Sequence, residues 1–590
     1  MSGKASVGSG GSQPPAGGSP TGVDTGQGTP RRAQSRQTGA DGRPRAREHL
    51  LALLACAGLS LLIFGPWILT RMTTWFLSAQ PQDGSIFVWM FRWWPYAIGH
   101  HVNPLYTTSA WAPGGINLAW VTSVPALAIV MTPLTQTFGP FFSFNVAELA
   151  APALAAWTGY LLCRRITGKF APALVGGLVF GFSPMLADEV GQGHPNLVLT
   201  FPIPLAAYLM LRRLDGSIRV RWFVPLLGLL LAVQLYLSTE IFATMTLMGV
   251  VFGAIGLALG SSAFRRRLLR ATGPTAGAYA VALALGSPLL YVAFTRPRPY
   301  KPVAFTGIDR GLQSFTQFLA YVDPGRFTVL GSQLGQRWGR DGNPWYFGIP
   351  VLLLLIIFLA TEWRRRRTWM LAACLAVTLA LSVGSSLAVF GAHILPWRLV
   401  SALPVLDRAQ PGRLVTYAFL LLGIAVAIWL ARPAKRLLRW GLAALAVLAI
   451  APNVTTDVWA HQVPVPQLLT SGAYRTYVPP GEIVWIVDPR HSRQMVWQAE
   501  TNFSFRLAGG FLGVAPPGLP SPAAQAQLGM GTISGTTVAG IRAFLRSHRV
   551  GAVLVAEEPA SAIRTMAEAT GVTGVRRGDV VIFQLAGRAG

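Results

Sequence analysis

AQPQDGSIFVWMFRWWPYAIGHHVNPLYTTSAWAPGGINLAW, residues Ala79 to Trp120, follows the first hydrophobic run of the chain and is too polar and too often broken by proline and glycine to cross a bilayer. It therefore reads as a loop reached through a membrane span, and the rest of the chain is arranged around it. A single acid, Asp83, lies near its start. The aromatic run that follows, Phe87, Trp89, Phe91, Trp93, Trp94 and Tyr96, predicts a short helix in the headgroup layer, because such rings prefer the interface to water or hydrocarbon. Asp83 then sits at the membrane surface, either as a reactive carboxylate or as a cap for that helix.

Composition sets the class. The chain has 590 residues, 52% of them hydrophobic and 12% charged, with a mean hydropathy of +0.45, which places it among polytopic membrane proteins. The net charge of +27 is almost all arginine, since only Lys4, Lys169, Lys301 and Lys435 are lysines. Most arginines outside the tail and the C-terminal region flank apolar segments. That distribution marks topology and gives no sign of a nucleic-acid partner. Cys56, Cys163 and Cys374 fall within or at the end of apolar segments without metal-ligand spacing.

Residues 1–48 are rich in Gly, Ser, Pro and Arg, and read as a disordered cytoplasmic tail. Residues 49–454 read as a transmembrane domain. Runs of about 20 apolar residues predict about 11 transmembrane helices: one near 50–69, then 142–163, 170–187, 196–212, 222–239, 241–260, 273–294, 346–362, 368–390, 413–431 and 438–453. Basic clusters at Arg164–Arg165, Arg212–Arg213, Arg265–Arg267, Arg364–Arg367 and Lys435–Arg439 fall in every second connection, on the side of the tail. To keep that alternation, Val121 to Phe138 is read as an interfacial helix. The first external loop is then about 71–141, and a second large one about 295–345. Residues 455–590 change character. Short apolar runs (483–487, 550–555, 580–585) alternate with helical stretches (537–547, 560–569), as in a small external α/β domain. The whole is expected in the plasma membrane, multi-pass, with a cytoplasmic N-terminus.

Ionisable groups at the outer ends of spans include Asp83, His100, His101, Glu148, Asp188, Glu189, His194, Glu240, Asp309, Asp323, Arg408 and Arg413, and charge near hydrocarbon tends to mark a site. Adjacent His100 and His101 point in different directions and make a poor shared metal site. No G-x-S-x-G, Walker A loop or H-E-x-x-H is present.

The layout carries a resemblance. An early acid in a large first loop, an aromatic helix, the N-P-L-Y step at Asn103 to Tyr106, P-x-x-x-x-F-G at Pro133 to Gly139, Y-L-L-C-R-R at Tyr160 to Arg165 and F-S-P at Phe182 to Pro184 resemble the GT-C superfamily of polytopic membrane glycosyltransferases, of the bacterial, actinobacterial type. The resemblance implies transfer of a sugar from a polyprenyl-phosphate donor to a saccharide, lipid or protein acceptor of the cell envelope, on the outer face beside membrane lipid. It implies that Asp83 is the catalytic base, and that Asp188, Glu189, His194 and Asn196 form a further polar, substrate-binding site. The donor phosphate then calls for cations, for which Arg408 and Arg413 in L-D-R-A-Q-P-G-R-L are the candidates; the alternative is that they pair with Asp407 or lipid headgroups. Relatives often pair the first acid with a second for a divalent metal, whereas Gln82-Asp83-Gly84-Ser85 has one acid, so the metal ligands stay unassigned. The alternative function is a non-catalytic relative or a transporter of lipid-linked saccharide. Reporter fusions after Gly139 and after Gly590 are expected to read external, and a cytoplasmic signal at Gly139 would turn 121–138 into a span.

Overall fold

In the computed structural model, the described residues are 46–296, 322, 324–325, 327–331, 345–384, 397–400, 402–403, 406, 409–433, 435–454, 459–488, 492–512, 527–529, 531–533, 535–556 and 560–585. Residues 1–45 of the tail and most of the expected second loop therefore lie outside them. Residues 46–590 form one compact unit.

Among the described residues, seven helical stretches are long and apolar enough to cross a membrane: Ala46–Ile68 (α1), Pro140–Thr167, Pro195–Leu214, Val220–Leu237, Thr239–Leu259, Ser262–Thr295 and Pro411–Leu430. An eighth is added if the bent pair Phe170–Gly181 and Pro184–Gln192 is one span. Of the expected eleven, seven or eight thus pass by length and composition among the described residues. The stretches at Ile349–Glu362, Arg366–Ser382 and Arg436–Ile450 are helices of 14, 17 and 15 residues, which at about 1.5 Å per residue fall short of a full apolar thickness. Pro125–Phe138, expected at the interface, is likewise only 14 residues long.

The first loop contains a strand, Trp75–Leu77 (β1), and then the helix Pro81–Gly99 (α2). Pro81 stands at the first helical position, where its missing N–H costs nothing. The strands Tyr106–Thr107 (β2) and Ile116–Asn117 (β3) pair antiparallel, and Pro125–Phe138 (α3) follows. The aromatic face of α2 is packed inside the protein and does not face headgroups. Phe87, Trp89, Phe91 and Trp93 are all buried, because α2 is covered on one side by α3 and the helix Pro140–Thr167 (α4) and on another by a helix of the C-terminal region. Nor is Asp83 a cap: Gln80 holds the N-cap position without a side-chain bond.

α4 is the axis of the bundle. It packs against α1, α2, α3, Phe170–Gly181 (α5), Pro202–Leu214 and Val415–Leu430. Small residues allow the approach: a Cβ added at Gly177 would fall on the Ala156 carbonyl, and one at Gly176 on the Gly423 carbonyl. After α5 the chain bends by 41° into Pro184–Gln192 (α6). Pro184 at the first position and the Ser183 hydroxyl, which accepts from the Leu186 N–H, restart the helix there. A left-handed Gly193 ends α6, and Pro195–Val198 (α7) and Pro202–Leu214 (α8) continue. Val220–Leu237 (α9), Thr239–Leu259 (α10), Ser262–Thr295 (α11), Ile349–Glu362 (α12), Arg366–Ser382 (α13), Val415–Leu430 (α14) and Arg436–Ile450 (α15) complete the bundle.

The C-terminal region begins with Ala460–Gln462 (β4), which pairs antiparallel with β1. It then builds a five-stranded sheet from Ile483–Val487 (β5), Arg506–Leu507 (β6), Ala552–Ala556 (β7), Val575–Arg577 (β8) and Val580–Gln584 (β9), in the order β6-β5-β7-β9-β8. β5 runs parallel to β6 and β7, while β9 is antiparallel to both neighbours. The helices Arg493–Glu500 (α16), Val538–Ser547 (α17) and Ala560–Thr570 (α18) accompany it. β5 and β7 are buried along their whole length, which is why both read as continuous apolar runs.

Replacing Gly177 by Val is expected to lower stability in detergent by about 1–3 kcal/mol through overpacking. Gly58→Ala, where nothing lies within 4 Å of the new Cβ, is expected to be neutral or to stabilise by up to about 1 kcal/mol. Thermal melting of the two variants checks the pair.

Candidate functional site

Five ionisable side chains from four segments meet at one end of the bundle. Asp83, in the first turn of α2, accepts on Oδ2 from His194 Nε2 at 2.9 Å. His194 stands between α6 and α7, and its Nδ1 lies 2.6 Å from Glu189 Oε2. The other oxygen, Glu189 Oε1, accepts from Arg413 Nε at 3.0 Å, and Arg413 Nη1 donates to Glu240 Oε2 at 2.8 Å. Glu240 begins α10 and takes the Gln410 N–H on its remaining oxygen at 3.1 Å. The result is an alternating chain of three carboxylates and two cations.

The local sequence explains the placement. The left-handed Gly193 turns the chain at the end of α6 so that the His194 N–H bonds the Glu189 carbonyl, which folds the imidazole back over the carboxylate five residues earlier. Ser78 helps to seat this turn, its hydroxyl donating to the carbonyls of Gln80 and Gly191. The Ala79 N–H also donates to the Gly191 carbonyl at 2.7 Å, so the start of α2 is tied to the end of α6 by the backbone.

Both imidazole nitrogens of His194 face carboxylate oxygens, which accept only; both can donate only in the imidazolium form. Burial alone would lower the His194 pKa, but its hydrogen bonds to Asp83 and Glu189 and the Glu189 charge push it up to about 9. Exposure is least at the middle of the chain: the side chains of Glu189, Arg413, His194 and Glu240 are 5%, 15%, 16% and 21% exposed, and that of Asp83 is 43% exposed. Asp83 is the open end.

Of the residues expected at a site, the structure brings together Asp83, Glu189, His194 and Arg413. Asp188, on α6, and Asn196, on α7, are buried on either side of His194 in the sequence. Arg408 lies outside the described residues. Glu240 was counted only among ionisable groups near span ends; its position two residues after Ser238, whose hydroxyl accepts the Ile241 N–H to start α10, is the signal that a polar helix start faces the site. Glu148 on α4 is fully buried, and neither of its carboxylate oxygens is hydrogen-bonded among the described residues.

Among the described residues, no group of three or more His, Cys, Asp and Glu forms a metal cage. A two-ligand site is nevertheless compatible with the chemistry. Asp83 Oδ2 and His194 Nε2 are separated by 2.9 Å, about the edge of an octahedron with ligands at 2.0–2.1 Å. Glu189 on Nδ1 is the carboxylate that orients a metal-binding imidazole. Asp83 and His194 could therefore hold a divalent ion in place of the proton between them.

Comparison with known proteins places the chain. A family described as a domain of unknown function, DUF6311, matches residues 52–453. The chain belongs to this family. No curated protein matches it. Its fold is similar to those of solved membrane transferases. It is similar to the oligosaccharyltransferase of Archaeoglobus fulgidus solved with Zn and sulfate, at 14% identity and a TM-score of 0.55, covering 88% of this chain and 70% of that one. The archaeal enzyme AglB with an inhibitory peptide and a dolichol-phosphate gives 13% and 0.52, covering 89% and 71%. Arabinofuranosyltransferase AftD from Mycobacteria gives 13% and 0.53, covering 92% of this chain and 40% of that one.

Glu189 carries the network, since it bonds both cations. Glu189→Ala is expected to cost about 3–5 kcal/mol of stability, because it strands Arg413 and His194 in a buried setting, and Glu189→Gln less. Thermal unfolding of the purified variants reads the difference.

Proposed function

We propose that this protein is a membrane glycosyltransferase that moves a sugar from a polyprenyl-phosphate donor to a cell-envelope acceptor, with Asp83 as its general base. The observation that supports it best is the charged chain: a carboxylate fixed on Oδ2 by His194, backed by a largely buried ion-pair network, and more exposed than any other member. Asp83 Oδ1 has no hydrogen bond among the described residues and is the oxygen offered to an acceptor.

In this reading, Asp83 takes the proton of the acceptor hydroxyl as its oxygen bonds to the anomeric carbon, and the bond from that carbon to the phosphate oxygen breaks with its electron pair leaving on the phosphate. His194 and Glu189 fix the carboxylate's orientation. Arg413 is held by Glu189 and Glu240 through Nε and Nη1, so its Nη2 edge is what remains for the donor phosphate. Three carboxylates outnumber two cations here, so Arg408 is assigned the second phosphate contact, with Asp188 and Asn196 beside the donor or acceptor sugar. A divalent ion on Asp83 and His194, when bound, would add positive charge near the leaving phosphate. The lipid chain keeps the donor in the membrane surface, which suits a base at the end of the spans. The acceptor is a saccharide, lipid or protein on the outer face.

Asp83→Asn keeps the shape of the side chain and removes the base. With tritium-labelled lipid-linked sugars extracted from the source membranes as donor, turnover is expected to fall by at least about 100-fold while undecaprenyl phosphate still binds within twofold of native. Near-native transfer by the purified variant would remove Asp83 from the role of base. A native protein that binds the lipid and never transfers the label would favour a carrier.

A further inference from the structure

The C-terminal region grips the helix that carries Asp83. Gln498, on α16, is fully buried and uses its whole amide. Its Oε1 accepts from Trp89 Nε1 at 2.7 Å, and its Nε2 donates to the carbonyls of Ser109 at 2.7 Å and Phe505 at 2.9 Å. One side chain thus joins α2, the loop after it and the approach to β6, segments 409 and 389 residues apart in the chain for the first two contacts.

The surroundings strengthen that joint. Phe503 adopts a left-handed φ of 58°, after Asn502 at 49°, a costly conformation for a bulky residue that persists only where packing imposes it. It places the Phe503 ring edge-on to Trp89 and to Trp93, each at 5.3 Å, and 4.8 Å from Tyr96, while Trp89 and Trp93 stack on each other at 5.3 Å. Three backbone bonds follow along the edge of the sheet, from Leu507 N to Ser109 O, Trp111 N to Gly509 O and Ala112 N to Leu507 O, at 2.7–2.8 Å. Before α2, β1 is already paired with β4. The helix is therefore held by the C-terminal region on both sides, and at its start by the bond of Ala79 to Gly191.

We propose that Gln498 is a positioning residue: by clamping Trp89 it sets the axial register of α2, and so the placement of the Asp83 carboxylate against His194. This rests on the reading of Asp83 as base. Trp89 is six residues beyond Asp83, about 9 Å along a helix at 1.5 Å per residue, so the two move as one rigid piece. Removing the amide strands the buried Trp89 indole N–H and the Phe505 carbonyl and leaves Ser109 O with the Leu507 N–H alone, and a small shift or tilt of α2 is the available way to resolve them. Misplacement of a reacting group by about 1 Å can cost about 100-fold in rate.

The test uses the full-length protein with the labelled lipid-linked sugar extract as donor and undecaprenyl phosphate as binding probe. Gln498→Leu is expected to lower turnover at least 10-fold with the affinity for undecaprenyl phosphate within twofold of native. Trp89→Phe, which keeps the ring and removes the N–H, is expected to act in the same direction and serves if the leucine variant does not fold. Introduced into Asp83→Asn, either change should cost little more, since the group it positions is gone. An equal loss in both backgrounds, or a loss of stability with native turnover per folded molecule, would overturn the proposal. Near-native transfer by Asp83→Asn alone would instead sink the reading of the base and leave the clamp as packing.

Discussion

The bond of His194 to two carboxylates is the constraint on which the rest of this structure depends. One imidazole joins a residue of the first loop to a residue of the bent span, and the second carboxylate passes the linkage on to Arg413 and Glu240. Burying charge in pairs gains little stability over apolar packing, and the loss of one partner is far more costly than the pair is worth. Such a network is better explained by the arrangement it enforces. With His194 in place, the start of α2, the turn after α6, the start of α10 and the start of α14 cannot slide past one another independently.

That role explains several features that are otherwise unrelated. The bend at Ser183–Pro184 ends α5 early and lets α6 present Glu189 toward the first loop. The left-handed glycine at 193 lets His194 double back onto α6; a residue with a Cβ there would be strained and would also crowd the Ser78 hydroxyl. The glycine contacts among α4, α5 and α14 bring the helices close enough for Arg413, three residues into the Pro411–Leu430 stretch, to reach Glu189. Each is a local choice that serves a contact between distant parts of the chain.

Much of this was legible in the sequence, and what was not has a physical reason. The strands at 483–487 and 580–584 and the helix at 538–547 follow from apolar runs and helical periodicity, which are local. Asp83, Glu189, His194 and Arg413 could be named from charge near span ends. Their contacts could not, because Asp83 and His194 are 111 residues apart and Glu189 and Arg413 are 224 apart, and no spacing rule reaches that far. The burial of the aromatic run of α2 is hidden from the sequence for a related reason. A ring that suits the headgroup layer suits a protein interior equally well, and composition alone does not reveal that Phe503 and α16 cover it. The expected runs at 346–362, 368–390 and 438–453 contain described helices of 14, 17 and 15 residues, so length and composition alone do not mark them as crossings.

The burial of that aromatic face changes the significance of the C-terminal region. A helix lying in lipid headgroups would take its depth from the bilayer and would tolerate sliding by a residue or more. Here its rings are set in a protein core, its leading strand is paired with β4, and its following loop is bonded along β6. Protein interiors are close-packed, so a displacement at α16 cannot be absorbed by soft material between it and α2. The Asp83 carboxylate is thereby fixed from two directions, by His194 at its head and by the C-terminal region through the helix behind it. In the proposed role of base, Asp83 would gain from such a mount, since orientation achieved in the resting protein need not be found again at each encounter.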